Sequence, residues 1–182
     1  HAAKLLGMLG DRQAVPVLLR FLEHYDVLGS YHQEAADALV ELGDMAIDAC
    51  LEAYPTASNE DMRDGIASVL RRSKTKDERI YQTLLDFFEQ TPELGAMYLA
   101  DYGDPRAIPV ISHMFDALSV DDRENAIMSN HVFVELRGAI EELGGQLTAA
   151  QEAKLERAGF ANLRYFPCPV IGIKAKRELP HG

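Results

Sequence analysis

Six histidines are the first side chains to consider for chemistry, because imidazoles and carboxylates together form many metal sites. His24 and His32 flank a predicted loop, and His113 lies on a predicted helix, with carboxylates near each in sequence. The only approach to a repeated ligand pair is His32-Gln33-Glu34, which occurs once. We therefore predict no metal site, and we interpret His32 as an ordinary polar residue near a helix start.

The possible nucleophiles also lack a supporting pattern. Cys50 falls on the apolar side of a predicted helix, where a small core residue is expected. Cys168 lies far from it, so the two thiols predict no disulfide framework, and a reducing, cytoplasmic location is the default expectation. There is no Gly-x-Ser-x-Gly turn and no glycine-rich phosphate loop. We predict no catalytic residue and no cofactor, which favours a role other than catalysis.

The charge balance limits the classes of partner. The net charge is -11 and the isoelectric point is near 4.9, so the average surface repels nucleic acid and anionic membranes. No apolar stretch is long enough to span a bilayer, and no signal peptide is visible. The chain opens His-Ala-Ala-Lys inside a helical pattern without an initiator Met, and we expect the native N-terminus to precede it.

Internal repeats organise most of the chain. Three units share one pattern: AAKLLGMLGDRQAVPVLLRFL from Ala2, AADALVELGDMAIDACLEAY from Ala35, and GAMYLADYGDPRAIPVISHMF from Gly95. A degenerate copy begins at Gly65, with residues 75–78 in place of the Gly-Asp turn, and a fifth copy begins at Gly138. Repetition of a unit of this kind along the chain is typical of stacked helical hairpins.

Each part of the unit has a physical role. Gly10, Gly43 and Gly103 fall where the end of a first helix needs a left-handed residue. The aspartate that follows each glycine can accept hydrogen bonds from the free N–H groups of the next helix. Pro16 and Pro109 fall in the first turn of a second helix, where a missing N–H costs nothing. The pattern therefore predicts two helices joined by a tight turn in each unit.

These residues resemble the HEAT-like repeats named after phycobilisome lyases, with the pattern A-x-x-L-G-x-L-G-D-x-x-A-V-P-x-L. Residues 2–22 and 95–115 match it best, although Tyr102 departs from it. The resemblance implies an all-α fold, a right-handed α-solenoid (superhelix) of about five HEAT-like helical hairpins with a short non-repeat C-terminal tail. We predict that the solenoid spans residues 1–158 and the tail residues 159–182. Residues 120–143 depart from the pattern and are predicted to form one long helix or two joined near residues 129–131.

The second helices of such arrays usually line the concave binding face. Alignment on their apolar positions predicts two outward columns, formed by Arg20, Glu52, Asp86 and His113 and by Glu23, Pro55, Glu89 and Asp116. Five of these eight residues are acidic, so the face would suit a basic peptide or a cationic patch. The same residues could equally be the solvated side of surface helices in an acidic chain. Most aromatic residues, including Phe21, Phe87, Phe88 and Phe115, are predicted to be core, and Tyr25, Tyr31, Tyr54 and Phe87 are possible contact residues.

The tail differs in composition from the repeats. Residues 159–182 contain four basic residues and one acidic residue, and three prolines rule out a continuous helix. Cys168 with its flanking prolines faintly resembles the zinc motif at the end of the bacterial secretion ATPase, but the other ligands are missing, so we expect no zinc. We expect a cationic extension that covers the end of the solenoid or folds onto an acidic face.

The favoured interpretation is a protein- or peptide-binding scaffold that binds neither nucleic acid nor membrane. One alternative is an enzyme or accessory subunit of the lyase-like HEAT type, and another is a connecting segment of a larger regulatory protein. The di-iron deoxyhypusine hydroxylases carry His-Glu dipeptides, which this sequence lacks, and the HEAT-like DNA glycosylases need a basic groove and Trp, which it also lacks. The sequence predicts neither the partner nor the oligomeric state.

Overall fold

Helices account for most of the residues that the structure describes. The computed structural model describes residues 12–25, 29–119 and 126–158, without the side chains of 126–131. Nine α-helices occur in these ranges: α1 Val15–His24, α2 Ser30–Leu42, α3 Asp44–Ala53, α4 Glu60–Leu70, α5 Glu78–Gln90, α6 Pro92–Tyr102, α7 Ala107–Ala117, α8 Ala126–Glu142 and α9 Ala149–Arg157. Short 3-10 turns cover Arg12–Ala14 and Tyr54–Thr56. None of the described helices is long and apolar enough to cross a membrane.

The helices pair as hairpins and stack in two layers. Helices α2–α3, α4–α5 and α6–α7 form successive hairpins, and α1 precedes them and packs beside α3 in the place of a second helix. The first helices α2, α4, α6 and α8 pack in sequence, and the second helices α1, α3 and α5 pack beside them. This arrangement is the all-α HEAT-like repeat solenoid predicted from the sequence. The handedness of the superhelix and the boundary of the tail stay predictions.

The turns follow the predicted chemistry, with one variation. Gly43 and Gly103 both have positive φ, of 58° and 71°, as the end of a first helix requires. Asp104 accepts the backbone N–H of Arg106 at 3.0 Å, as predicted for the residue after the glycine. Asp44 is instead the first residue of α3, and its carboxylate accepts the Thr75 hydroxyl at 3.1 Å. Relative to the turn glycine, the second helix therefore starts three residues earlier in that hairpin than in α6–α7.

A continuous apolar core runs through the stack of hairpins. Buried side chains come from every described hairpin, among them Leu18, Leu39, Leu84, Ile111 and Phe133. Three of the four phenylalanines predicted to be core are buried, namely Phe87, Phe88 and Phe115. Phe21 is only half-buried, because it lies beside the exposed end of α1.

Cys50 is fully buried in this core, as predicted from its place on the apolar side of α3. Burial disfavours the thiolate and raises the pKa of the Cys50 thiol to about 12. A thiol with so high a pKa is a poor nucleophile at neutral pH, so Cys50 acts as a packing residue.

His32 departs from the sequence interpretation. It does lie near the start of α2, but its side chain is only 2 % exposed. Its Nε2 atom is hydrogen-bonded to the carbonyl oxygen of Asp61 at 3.0 Å. A Cβ atom on Gly65 would lie 2.8 Å from the same nitrogen, so the absence of a side chain at Gly65 makes room for the imidazole.

The carboxy-terminal helices complete the described array. Residues 126–142 form a single helix, which selects the one-helix alternative for that range. Helix α9 then packs on the end of α7, where Lys154 donates to the carbonyl oxygens of Phe115 and Asp116 at 2.9 and 2.8 Å. These carbonyls are otherwise unpaired at a helix end. The tail, with Cys168 and its prolines, lies outside the described residues, as does Gly10.

Candidate functional site

Seven of the eight residues of the predicted columns lie on the described second helices, and Pro55 lies in the 3-10 turn that follows α3. We call this set the second-helix face: Arg20, Glu23, Glu52, Pro55, Asp86, Glu89, His113 and Asp116. All of them are exposed except Glu23, which is half-exposed. Apolar residues on the opposite side of each helix point into the core, for example Leu22, Cys50 and Phe115. The helical period therefore placed these polar side chains correctly.

Three of the five acidic residues on this face already have partners within the chain. Glu23 accepts a hydrogen bond from the Ser58 hydroxyl at 3.0 Å, which links α1 to the loop before α4. Asp86 accepts the Tyr54 hydroxyl at 3.0 Å and an amide of its own helix at 2.7 Å. Asp116 accepts the Gln151 amide at 3.0 Å. Their carboxylates therefore hold the fold together, and only the remaining lone pairs face solvent.

The other two acidic residues are free. Glu52 on α3 and Glu89 on α5 accept no hydrogen bond and form no ion pair within the described ranges. The side chains of Arg20 and His113 on this face likewise have no hydrogen-bond or ion-pair partner within those ranges. Two unpaired carboxylates on adjacent second helices are the most available polar groups of the face.

The predicted possible contact aromatics divide into two groups. Tyr54 and Phe87 are buried, so they belong to the core. The pKa of the Tyr54 hydroxyl is raised, first by burial and then by its hydrogen bond to Asp86. Tyr25 and Tyr31 are exposed, and they remain candidates for contact with a partner.

The three histidines whose side chains the structure describes do not converge. His24 is exposed and its Nδ1 atom lies 2.9 Å from the backbone oxygen of Arg20, His32 is buried, and His113 is exposed on α7. Across residues 12–25, 29–119 and 126–158, no group of three His, Cys, Asp or Glu side chains could hold a metal ion. No described side chains are brought together here for metal chemistry.

A polar cluster between the first helices was missed by the sequence interpretation. The Tyr98 hydroxyl on α6 donates to the Asp64 carboxylate on α4 at 2.8 Å. The Arg71 guanidinium lies over the Tyr98 ring, 4.6 Å from its centroid, and pairs with Asp101. Burial raises the pKa of the Asp64 carboxyl, although Tyr98, His32 and Arg71 oppose this shift. The sequence has no local pattern that joins residues 34 apart, so the cluster could be found only from the fold.

This cluster predicts a specific pH dependence of stability. A carboxyl whose pKa is higher in the folded than in the unfolded state binds more protons when the protein is folded. Its contribution to the stability of the fold therefore decreases as the pH rises from the unfolded-state pKa to the folded-state pKa. The Asp64→Asn variant keeps an acceptor for Tyr98 and removes the titration. We expect its stability relative to the wild type to increase from pH 4 upward and then to level off, as measured by urea unfolding at each pH.

The comparison with Asp64→Asn cancels the opposing contributions of Asp77, Glu78 and Asp104, whose pKa values are lowered by hydrogen bonds. These groups titrate alike in both proteins, so the difference reports Asp64. A stability difference that is constant across this pH range, or that decreases with pH, would contradict the assignment.

A repeated ion-pair motif links neighbouring hairpins. Arg106 pairs with Asp104 two residues before it at 2.7 Å and reaches Glu78 of the preceding hairpin at 2.9 Å. Arg79 does the same with Asp77 at 2.7 Å and with Asp48 at 2.9 Å. The signal in the sequence is an Asp-x-Arg triplet at both turns. These exposed pairs orient adjacent hairpins, and they leave Asp48 less available to a partner than Glu52.

Comparison with known proteins supports the repeat. Residues 1–24 match the family model described as PBS lyase HEAT-like repeat. The described part of that segment supplies the second helix α1, and the hairpins α2–α3, α4–α5 and α6–α7 continue the same architecture. No curated protein matches this chain. No solved structure matches it either.

Proposed function

We propose that this protein is a binding scaffold whose second-helix face holds a protein or peptide with basic side chains. The observation that carries the proposal is the pair of free carboxylates at Glu52 and Glu89, which are exposed on two adjacent second helices, one in each predicted column. Stacked repeats present such positions as an extended surface, which is how solenoids commonly bind. The net charge of -11 would also attract a cationic partner from a distance.

The repeat spacing indicates the form of such a partner. Packed helices lie roughly 8–10 Å apart, and an extended peptide advances about 3.3 Å per residue. Residues three apart in an extended peptide would therefore match carboxylates on successive second helices. A basic segment with Lys or Arg at every third position would place its charges at about the spacing of two adjacent second helices.

A charge reversal of the free pair tests the proposal. We expect the double variant Glu52→Lys/Glu89→Lys to bind a fluorescent nona-lysine peptide at least tenfold more weakly than the wild type, because two attractive contacts become repulsive. Fluorescence anisotropy at low and at physiological ionic strength measures both affinities. The difference should shrink as salt rises, since these groups are exposed.

The matched control changes the net charge equally on another face. The variant Glu41→Lys/Glu156→Lys alters two exposed glutamates near the ends of α2 and α9, where a cation suits the helix dipole. This control should bind the nona-lysine peptide with an affinity within about twofold of that of the wild type. The change in net charge alone has only a small effect beyond a Debye length. If both double variants lose the same affinity, the second-helix face is not the binding surface.

A further inference from the structure

Three aromatic side chains, one half-buried and two exposed, form a continuous strip beside α1. This aromatic strip consists of Phe21, Tyr25 and Tyr31. The Phe21 and Tyr25 rings stack with centroids 5.2 Å apart, and the Tyr25 and Tyr31 rings are tilted with centroids 5.3 Å apart. Tyr25 is 42 % exposed and Tyr31 is 54 % exposed. Large aromatic surfaces in water are enriched at binding interfaces, and Tyr is among the residues that dominate their energetics.

The other tyrosines within the described ranges all have polar partners. Tyr81, Tyr98 and Tyr102 each lie beneath a cation, with distances from cation to ring centroid of 4.2, 4.6 and 4.1 Å. Tyr54 donates its hydroxyl to a carboxylate. Within the same ranges, Tyr25 and Tyr31 have no cation over the ring and no hydrogen bond to the hydroxyl. The rings of Tyr25 and Tyr31 are therefore open to a cation, whereas three other tyrosines of the chain already have one over the ring.

An acidic group lies next to the strip. Arg20, Phe21, Glu23, His24 and Tyr25 line an open depression of about 520 Å³. The Glu23 carboxylate is half-exposed on its wall and is held in place by the Ser58 hydroxyl at 3.0 Å. A cation that reached this depression would meet an aromatic face and a fixed carboxylate together. Arg20 is the like charge in the depression, and it would weaken that attraction.

The geometry points to the aromatic strip as the anchor for an arginine side chain of a basic peptide. A guanidinium is planar, so it can stack on a tyrosine ring and direct its N–H groups to a carboxylate at the same time. A lysine ammonium is a compact, strongly hydrated charge that cannot stack in this way. The inference rests on the proposed function, because Glu23 belongs to the second-helix face, and it adds a preference for arginine over lysine.

Paired peptides test the preference on the full chain. We expect a fluorescent nona-arginine peptide to bind about two- to fivefold more tightly than the nona-lysine peptide, as one exposed cation–π contact allows. The variant Tyr25→Leu/Tyr31→Leu keeps apolar bulk and removes the tyrosine rings. It should bind both peptides equally, at the wild-type affinity for nona-lysine. Arg20→Ala should bind both peptides more tightly than the wild type, because it removes the like charge.

The control and the outcomes separate this inference from the proposed function. Met45→Ala/Leu94→Ala removes two exposed apolar side chains outside the strip and should keep the arginine preference. Equal binding of the two peptides to the wild type, or a preference that survives Tyr25→Leu/Tyr31→Leu, overturns the arginine anchor. If those results accompany a loss in Glu52→Lys/Glu89→Lys, the proposed function still stands. If neither peptide binds the wild type, both fall.

Discussion

Phe115→Ala is expected to lower the free energy of unfolding by about 3–5 kcal/mol. Phe115 is completely buried on α7, and its ring meets Phe133 of α8 edge-on with centroids 5.1 Å apart. Truncation removes the buried surface and leaves a cavity between the two helices. It also loses the edge-to-face contact, which is worth roughly 0.5–1.5 kcal/mol beyond the area buried.

Thermal and urea unfolding followed by circular dichroism measure this loss. For a chain of this size the melting temperature should fall by roughly 10 °C, since 1 kcal/mol corresponds to about 2–4 °C. His113→Ala is the matched control, because it truncates an exposed ring on the same helix. The control should change stability by no more than about 0.5 kcal/mol. Equal effects of the two substitutions would show that α7 and α8 do not share this core.

Gly95→Ala is expected to destabilise the protein by about 2 kcal/mol, even though alanine is the better helix former by about 1 kcal/mol. A Cβ atom at Gly95 would lie 2.3 Å from the Cα of Phe88 and 2.8 Å from its Cβ. Side-chain rotation cannot relieve a clash with backbone, so α5 and α6 must move apart. The overpacking cost therefore exceeds the gain in helix propensity.

Gly65→Ala provides the comparison for this prediction. Its new Cβ would meet side-chain atoms, His32 Nε2 at 2.8 Å and Leu22 Cδ2 at 2.9 Å, which can shift by rotation. We expect a smaller loss of stability for Gly65→Ala than for Gly95→Ala, measured by urea unfolding of both variants side by side. The account of the α5–α6 contact is wrong if Gly95→Ala is as stable as the wild type.

Local features of the fold could be predicted because their causes are local. The positive φ of Gly43 and Gly103 follows from the need to end a helix within one residue. The exposure of Glu52 and Glu89 and the burial of Cys50 follow from the helical period alone. These residues needed no knowledge of their neighbours in space.

Features that depend on distant residues could not be predicted in this way. Asp116 was assigned to an open column, but Gln151, 35 residues later, donates to its carboxylate. His32 was interpreted as an ordinary polar residue near a helix start, and its burial, which the small Gly65 on the next first helix allows, was not predicted. The hydrogen bond between Asp64 and Tyr98 also joins residues far apart in the sequence, so it could not be predicted either. The exposure of the candidate face could therefore be predicted from the sequence, while the division into bonded and free carboxylates required the structure.

Paramagnetic broadening of backbone amide signals tests the central claim most directly. A nona-lysine peptide with a nitroxide at one end would be titrated into the isotopically labelled full chain. We expect the amide signals of Glu52, Glu89 and the outward positions around them on α3 and α5 to broaden first. Broadening that begins instead on the first helices α2, α4 and α6, or that spreads evenly over all exposed acidic residues, would contradict a binding scaffold built on the second-helix face.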